Sequence, residues 1–356
     1  MKCIACDQEL QNYSELKFSE TSIHKLTIFD EMTIICCQDC GIGLVSKEVD
    51  KDDLSEYYNS TYGGLAKKYA LSDIDSPIES NTIDSRSISQ ITLINTFINI
   101  DKSKKILEIG AGKGDFYNAL RKLNLNPTYV TFEPQKEAQE RLRDMGIETI
   151  SKSFTPEDCE NRENQYDLII MSHTLEHFHP STINKTVQSI HKMLKPGGYF
   201  FCEVPNADLN KYTNAGERVV PHLTFFSLSS LDLILKKNNF RISFLKTCGN
   251  LQYEKDAKSI IECYEKKGMF AFEEDPNNKK ILRNIYYDKF LEYQAKRFSR
   301  KNKILRLIVM IIGKRVTLKI FNILGKIRNA TYDEVLSSEF FQYREDAEFI
   351  RCLARK

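Results

Sequence analysis

The sequence predicts an α/β protein. A parallel sheet with crossover helices spans residues 101–250, a small cysteine-rich unit precedes it over 1–49, and a charged, mostly helical extension follows over 251–356. Three observations predict this. Strand-like and helix-like stretches alternate from Lys105 to about Gly249, the signature of a parallel sheet with crossover helices. A short apolar strand, a glycine turn and a helix start succeed one another from Ile106 to Leu123. Two CxxC units, Cys3–Cys6 and Cys37–Cys40, stand near the N-terminus.

With 356 residues the chain has room for a full α/β core and one or two smaller units. A formal net charge of +2 does not argue for a nucleic-acid partner. No apolar run follows Met1, so no signal peptide is expected, and no uninterrupted apolar stretch reaches membrane-span length. Ten cysteines without an export signal suggest a reducing, cytoplasmic setting, where thiols serve metals or packing.

Residues 1–49 hold half of the cysteines and read as short strands and turns. Each CxxC can turn two thiolates toward one metal, and two such knuckles supply the four sulfurs of a structural zinc site: Cys3, Cys6, Cys37 and Cys40. The spacer is longer than the common C-x2-C-x15–20-C-x2-C pattern, and a hairpin can fill it. Unligated buried cysteines or a redox pair are the alternatives. Cys36, beside the second knuckle, is read as a spare. Four sulfurs leave no open coordination position, so no catalysis is expected there.

Residues 50–100 form a tyrosine-rich linker, with Tyr57, Tyr58, Tyr62 and Tyr69, passing into a helix over roughly Thr82–Ile98, where Ile83, Ser87, Ile91, Ile94 and Ile98 fall at helical spacing.

The most informative segment comes next. Gly110, Gly112 and Gly114 occupy positions one, three and five of the turn, whereas a dinucleotide fingerprint needs one, three and six. Glu108, just before the turn, would repel a pyrophosphate and suits an ammonium or a hydroxyl. The next strand, Thr128–Phe132, ends at Glu133, about 20 residues on, where ribose hydroxyls are held in such folds. A ribose and a positively charged amino-acid end without a diphosphate describe S-adenosylmethionine.

Here the chain resembles the class I S-adenosylmethionine-dependent methyltransferases. Tyr166–His177 is similar to that family's fourth strand and the segment after it, and His191–Asn206 to its helix, proline-glycine turn and fifth strand. The resemblance implies a Rossmann-like sheet. Glu108, Gly110, Ala111, Gly112 and Gly114 would line the methionine end, Glu133 would take the ribose, and Pro134, Ser153 and Phe154 would lie near the adenine. Ser153 stands where the family commonly has an acid. Ser172 and His173 would face the methyl donor and the acceptor.

A zinc unit ahead of such a domain resembles a narrower group, the zinc-binding sugar C-methyltransferases and their relatives, which act on nucleotide-linked sugars. That group carries Tyr-His-Glu-His after the fifth strand; this chain has Val219-Val220-Pro221-His222 and keeps only the last histidine. The loss disfavours proton removal from carbon and leaves methylation of a hydroxyl or an amine. The resemblance favours His222 as the base, and His173 competes because ligands of open α/β sheets sit at strand carboxyl ends. His177 is read as a capping or core histidine, and His179 as an exposed turn residue.

The expected activity is methyl transfer to a small acceptor, a sugar or sugar nucleotide for surface polysaccharide. A lipid-linked, quinone-like or protein acceptor is one alternative, and a non-catalytic zinc-stabilised binding protein is another. Residues 296–328 carry Lys and Arg and no acid around the apolar run Ile304–Ile312. This reads as a core or subunit-contact helix, or as a segment lying on an anionic membrane at the inner face. The oligomeric state is left open.

Overall fold

The computed structural model describes residues 2–10, 13–17, 33–45, 49–58, 85–207, 222–251 and 347–356. Tyr62, Tyr69, Val219–Pro221 and the basic segment 296–328 lie outside the described residues.

Near the N-terminus, β1 (Tyr13–Lys17), β2 (Thr33–Cys37) and β3 (Gly43–Val45) pair antiparallel. A strand from far along the chain, Thr224–Phe225 (β9), adds to β3, with Leu44 opposite Thr224. The cysteine unit therefore does not close on itself at residue 49. The short helix α1 (Lys51–Glu56) follows, its first turn capped by the Asp50 carboxylate, which accepts from the Asp52 and Asp53 amides.

The main sheet has seven strands: β4 (Lys105–Ile109), β5 (Thr128–Phe132), β6 (Glu148–Ile150), β7 (Tyr166–Ser172), β8 (Leu194–Pro205), β10 (Arg241–Leu251) and β11 (Ala347–Arg355). Their order is β10-β11-β8-β7-β4-β5-β6. The pairs from β8 through β6 are parallel, and β11 is antiparallel to both β8 and β10. The chain runs from β4 outward through β5 to β6, then returns to the other side of β4 with β7. That reversal leaves a crevice beyond the carboxyl ends of β4 and β7, the usual ligand position of an open sheet.

Helices cover both faces, as a parallel sheet requires. Side chains alternate along each strand, so Leu107, Ile109, Ile169 and Met171 join one core and Ile106, Leu168 and Ile170 the other. The first core takes Ile183, Val187 and Ile190 of α5 (Pro180–Met193) and Leu231, Ile234 and Leu235 of α6 (Leu228–Lys237). The second takes Ile88, Ile91 and Ile94 of α2 (Ser85–Asn95) and Phe116, Ala119 and Leu120 of α3 (Asp115–Lys122). Leu142 of α4 (Lys136–Asp144) joins it. Ile169 is fully buried; truncating such a residue to Ala would cost about 2–5 kcal/mol. The cysteine unit packs on the α5/α6 side: Asn184 donates to the Ile4 carbonyl at 3.0 Å, and the Ser227 hydroxyl donates to the Cys40 carbonyl.

One expectation is corrected. The chain's end, expected as part of a helical extension, is a strand: Ala347–Arg355 lies inside the sheet, so a domain boundary at 250 would cut that sheet. Pro196-Gly197-Gly198, expected as a turn, falls within the bounds of β8 but bulges out of its pairing with β7, which steps from Tyr166–Leu194 to Leu168–Tyr199 with Gly197 at φ 78°. The expected helix over 82–98 is described from Ser85 to Asn95.

Candidate active site

The glycine turn leaves β4 and enters α3. Gly110, Gly112 and Gly114 all take positive φ, at 79°, 53° and 81°. A β-carbon on Gly110 would lie 2.5 Å from the Thr174 hydroxyl oxygen, so the segment after β7 rests directly on the turn. A β-carbon on Gly112 would meet nothing within 4 Å: its bare backbone faces open space, as a ligand cradle needs. Gly114, read as part of the same cradle, is buried, and its missing side chain makes room for Leu142 and Met145 of the neighbouring α4 region.

Two carboxylates stand at adjacent strand ends. Glu108 on β4 is buried and accepts a 2.6 Å hydrogen bond from the Tyr129 hydroxyl; burial, despite that bond, pushes its carboxyl up to about 8. Glu133 follows β5. Its carboxylate takes the Gly112 amide at 2.7 Å and the Gln135 amide at 2.9 Å, which ties the two loops together; burial still raises it above the ordinary value. Pro134 and Ala111 are half-buried beside them. Ser153 is half-buried, and Phe154 is a core residue packed edge-on to Phe132, with ring centroids 5.2 Å apart. The exposed glycine backbone and the paired carboxylates fit the amino-acid and ribose ends of S-adenosylmethionine.

The second half of the site is built from the end of β7. His173 leaves the strand with φ 52°, a left-handed conformation uncommon for a residue with a side chain. Its amide is held by the Glu203 carbonyl at 2.8 Å. Its two ring nitrogens each lie 3.5 Å from a carboxylate, Nδ1 from Glu176 and Nε2 from Glu203. Burial alone would lower the imidazole, and the two carboxylates more than offset it, so its affinity for a proton is raised. Ser172 accepts a hydrogen bond from Gln90 of α2 at 2.9 Å.

Glu176 is the centre of this half. It is 1% exposed, and neither carboxylate oxygen accepts a hydrogen bond from a described residue. His222 Nε2 stands 4.0 Å from its Oε1. The His177 ring packs edge-on to that of His222, with centroids 5.1 Å apart, and its Nδ1 is hydrogen-bonded to the Tyr58 hydroxyl at 2.9 Å. Burial would raise Glu176, but the surrounding imidazoles of His173, His177 and His222 hold it down at about 2. His177 thus bridges to the tyrosine-rich segment. His179 does cap one: its ring accepts from the Ser181 amide at the start of α5.

Behind His173 lies a buried ion pair that inspection of the sequence missed. Arg351 of β11, fully buried, donates to Glu203 of β8 at 2.6 Å and to the Ser89 hydroxyl at 3.0 Å; Gln90 donates to the other Glu203 oxygen at 2.8 Å. Burial would raise Glu203, and Arg351 with His173 and Arg86 holds it well below the carboxylate range. The available signals were Glu203, a lone acid in the apolar run Tyr199–Val204, and Glu176, set between His173 and His177.

The four cysteines come together. Cys3 Sγ lies 3.6 Å from Cys40 Sγ and Cys6 Sγ 3.7 Å from Cys37 Sγ, and all four sulfurs are within 4.8 Å of one another. Tetrahedral zinc with Zn–S bonds of about 2.3 Å needs sulfurs about 3.8 Å apart, so the donor set fits that ion. Cys36 joins a different cluster, with Ile34, Val45 and Tyr57.

Residues 86–243 match the profile of a methyltransferase-domain family. The C-methyltransferase NovU of Streptomyces niveus is 24% identical over 213 residues, covering 59% of this chain and 47% of that protein. The ubiquinone biosynthesis O-methyltransferase of Shewanella pealeana is 28% identical over 113 residues, covering 31% of this chain and 47% of its own length. The chain thus spans about half the length of these curated relatives. A S-adenosylmethionine-dependent methyltransferase from Archaeoglobus fulgidus has a solved structure that aligns over 83% of this chain and 99% of its own, at 13% identity and a TM-score of 0.41. Among the described residues, no helix is long and apolar enough to cross a membrane. The matched family and the strand order, glycine turn and paired carboxylates agree: the chain carries a class I S-adenosylmethionine-dependent methyltransferase domain.

Proposed function

We propose that the chain transfers a methyl group from S-adenosylmethionine to a hydroxyl of a small acceptor, a sugar or sugar nucleotide used for surface polysaccharide. S-adenosylmethionine, when bound, supplies a methyl group activated by its sulfonium. Glu108 holds the ammonium end, Gly110–Gly114 presents backbone to the methionine portion, and Glu133 exchanges its amide partners for the ribose hydroxyls. Pro134, Ser153 and Phe154 border the adenine. What remains for the protein is alignment and removal of the acceptor proton. One of the two imidazoles beside Glu176, His173 or His222, receives that proton.

One observation carries this reading. Thr174 rests on Gly110, so the segment from Ser172 to His177 joins the cofactor turn to the Glu176 cluster. Nothing in this arrangement calls for carbon as the methylated atom, since the loop before His222 lacks the polar company such a base needs. The cysteine unit, with zinc at Cys3, Cys6, Cys37 and Cys40, supports the sugar reading, because such a unit marks the zinc-binding sugar methyltransferases and their relatives. A quinone-like acceptor is the second reading, favoured by the ubiquinone biosynthesis O-methyltransferase among the relatives.

The test incubates the full chain with labelled S-adenosylmethionine and separate panels of nucleotide sugars and dihydroxylated quinone precursors, reading the +14 Da product by mass spectrometry. Transfer to a sugar hydroxyl supports the first reading. Transfer to the quinone panel alone replaces it with the second, and cofactor binding without transfer to either panel overturns both acceptor assignments.

A further inference from the structure

The zinc-fitting sulfurs are not the only donor set that converges. Glu176, His177 and His222 each offer one ligand atom, and the three lie within 4.8 Å of one another. We infer that these three residues form a second, divalent-cation site at the acceptor end of the methyltransferase domain. The inference rests on the acceptor position proposed above and adds to it the chemistry by which the acceptor is held.

Glu176 supplies the independent argument. A carboxylate removed from water is costly unless hydrogen bonds or a cation replace its hydration. Its two oxygens accept no hydrogen bond from any described residue; His173 Nδ1 stands 3.5 Å and His222 Nε2 4.0 Å from the same oxygen, Oε1. Cation ligation meets that need.

The geometry suits a small ion. Bonds of about 2.0–2.2 Å to nitrogen and oxygen place neighbouring donors about 3.0–3.4 Å apart, so an ion need draw these side chains together by only about an ångström. Two imidazoles and one carboxylate favour first-row divalent ions such as manganese, cobalt or zinc over magnesium or calcium. The Tyr58 hydroxyl, 2.9 Å from His177 Nδ1, is the kind of outer partner that fixes the ring of a ligating histidine: with Nδ1–H donating to Tyr58, Nε2 carries the lone pair.

Three protein ligands leave coordination positions open, unlike the four-sulfur set. Those positions take oxygen from the acceptor. The acceptor class is therefore one that can chelate, a hydroxyl with a neighbouring hydroxyl, carbonyl or carboxylate oxygen. His173, outside the ligand set and at the strand end beside Thr174, is then the histidine available for the proton.

The experiment uses the full chain with its cysteine site loaded with zinc, titrated with manganese(II) and read by electron paramagnetic resonance of free manganese. Manganese prefers oxygen and nitrogen to thiolate, so the cysteine unit does not report. The expected result is about one manganese per chain, with affinity lowered at least tenfold in Glu176→Gln and in His222→Ala and several-fold in Tyr58→Phe. S-adenosylmethionine binding, measured in parallel, should change by less than about threefold. Should Glu176→Gln fail to fold, His177→Gln at the half-buried ligand carries the same comparison. Wild-type protein that takes up no manganese or cobalt to about 1 mM overturns the site whatever the cofactor does. So does uptake unchanged in the ligand variants. Protein that binds the ion and not S-adenosylmethionine overturns the methyltransferase reading instead.

Discussion

Thr174 occupies the space that a side chain on Gly110 would need: its hydroxyl oxygen lies 2.5 Å and its methyl carbon 2.9 Å from the position of a β-carbon there. The two halves of the site are therefore locked by the absence of one methyl group. Gly110→Ala must displace the segment from Ser172 to His177 and also adopt φ 79°, which costs an L-residue about 1–2 kcal/mol. It should lower stability by at least that amount and abolish cofactor binding. Gly112→Ala meets no neighbour and keeps only the conformational cost, so it should be the more stable of the two while still losing cofactor affinity, because the new methyl group enters the cradle. Urea melts paired with calorimetry separate the two; equal stabilities would contradict the packing argument.

Glu108, in the proposed role of holding the ammonium end, should make cofactor binding depend on pH. Burial pushes its carboxyl up to about 8, so without a ligand it is mostly protonated near neutrality. An ammonium beside it favours the ionised form, and binding therefore releases a proton. Affinity for S-adenosylmethionine should fall as pH drops below about 8, by up to tenfold per unit, and level off above it. The sign for stability is opposite: the folded chain holds a proton that the unfolded chain loses at about 4.3, so ligand-free stability declines as pH rises from there to about 8, by at most about 1.4 kcal/mol per unit. Calorimetry between about pH 6.5 and 8.5 checks the first trend, and Glu108→Gln should flatten it. A wild-type affinity that does not move with pH would place the ammonium elsewhere.

Arg351 and Glu203 are both fully buried, and each is the other's main charge partner. Removing one partner of such a pair leaves a bare charge in the core, at a cost of about 3–5 kcal/mol. Arg351→Met should lose that much in denaturant unfolding, and adding Glu203→Gln should restore part of it, since the stranded charge is then gone. Because Glu203 is held well below its ordinary range, the pair contributes fully above the unfolded carboxylate pKa and its contribution fades as pH falls through the folded value. A double variant no better than Arg351→Met would mean that packing, not charge, holds β11 in place.

What could be read from the sequence was local. The glycine turn, the alternation from β4 to β8 and the CxxC spacing each rest on neighbours within a few residues, and the fold class followed from them. Glu176 and Glu203 lie inside stretches read as strand and post-strand segment, yet their weight comes from His222 and Arg351, far along the chain and brought near only by the tertiary fold. β11 escaped for the same reason: its strand pattern is legible only beside β8, where Phe349 meets Pro205 and Arg355 meets Tyr199. β9 is two residues long and has no signal of its own. Cys36 is a case where strand alternation sufficed, since neighbouring residues of β2 point to opposite faces.

That alternation makes a clean comparison between adjacent cysteines. Cys37 stands in the four-sulfur group, while Cys36 packs with Ile34 and Val45 on the other face of β2. Cys37→Ser should lower zinc to well under one per chain and destabilise the N-terminal unit, because binding and folding of such units are coupled. Cys36→Ala should keep full zinc and lose only packing. Metal analysis by mass spectrometry of protein purified without chelator decides it. Full zinc in Cys37→Ser, or none in the wild type, would remove the site.

His173 carries the last prediction, because its backbone and its side chain make opposite demands. A residue at φ 52° would be relaxed as glycine or asparagine, and strain of this kind, about 1–3 kcal/mol, persists where the surroundings over-determine it. Here the surroundings are the Glu203 carbonyl on its amide and the Glu176 and Glu203 carboxylates on its two ring nitrogens. His173→Asn tolerates the left-handed backbone and keeps a polar side chain, so the fold should survive, with stability changed by little more than the strain released. Turnover should nonetheless fall by about 10²–10⁴, the range for a positioned proton acceptor. The residual rate should lose its dependence on pH through the histidine range, since only neutral imidazole accepts a proton. His173→Gly should relax the backbone further and lose rate as severely, which separates the chemistry from the strain. If His173→Asn kept near-native turnover with an unchanged pH profile, the proton would have to pass to His222, and His173 would be left as a residue that shapes the strand end above Gly110.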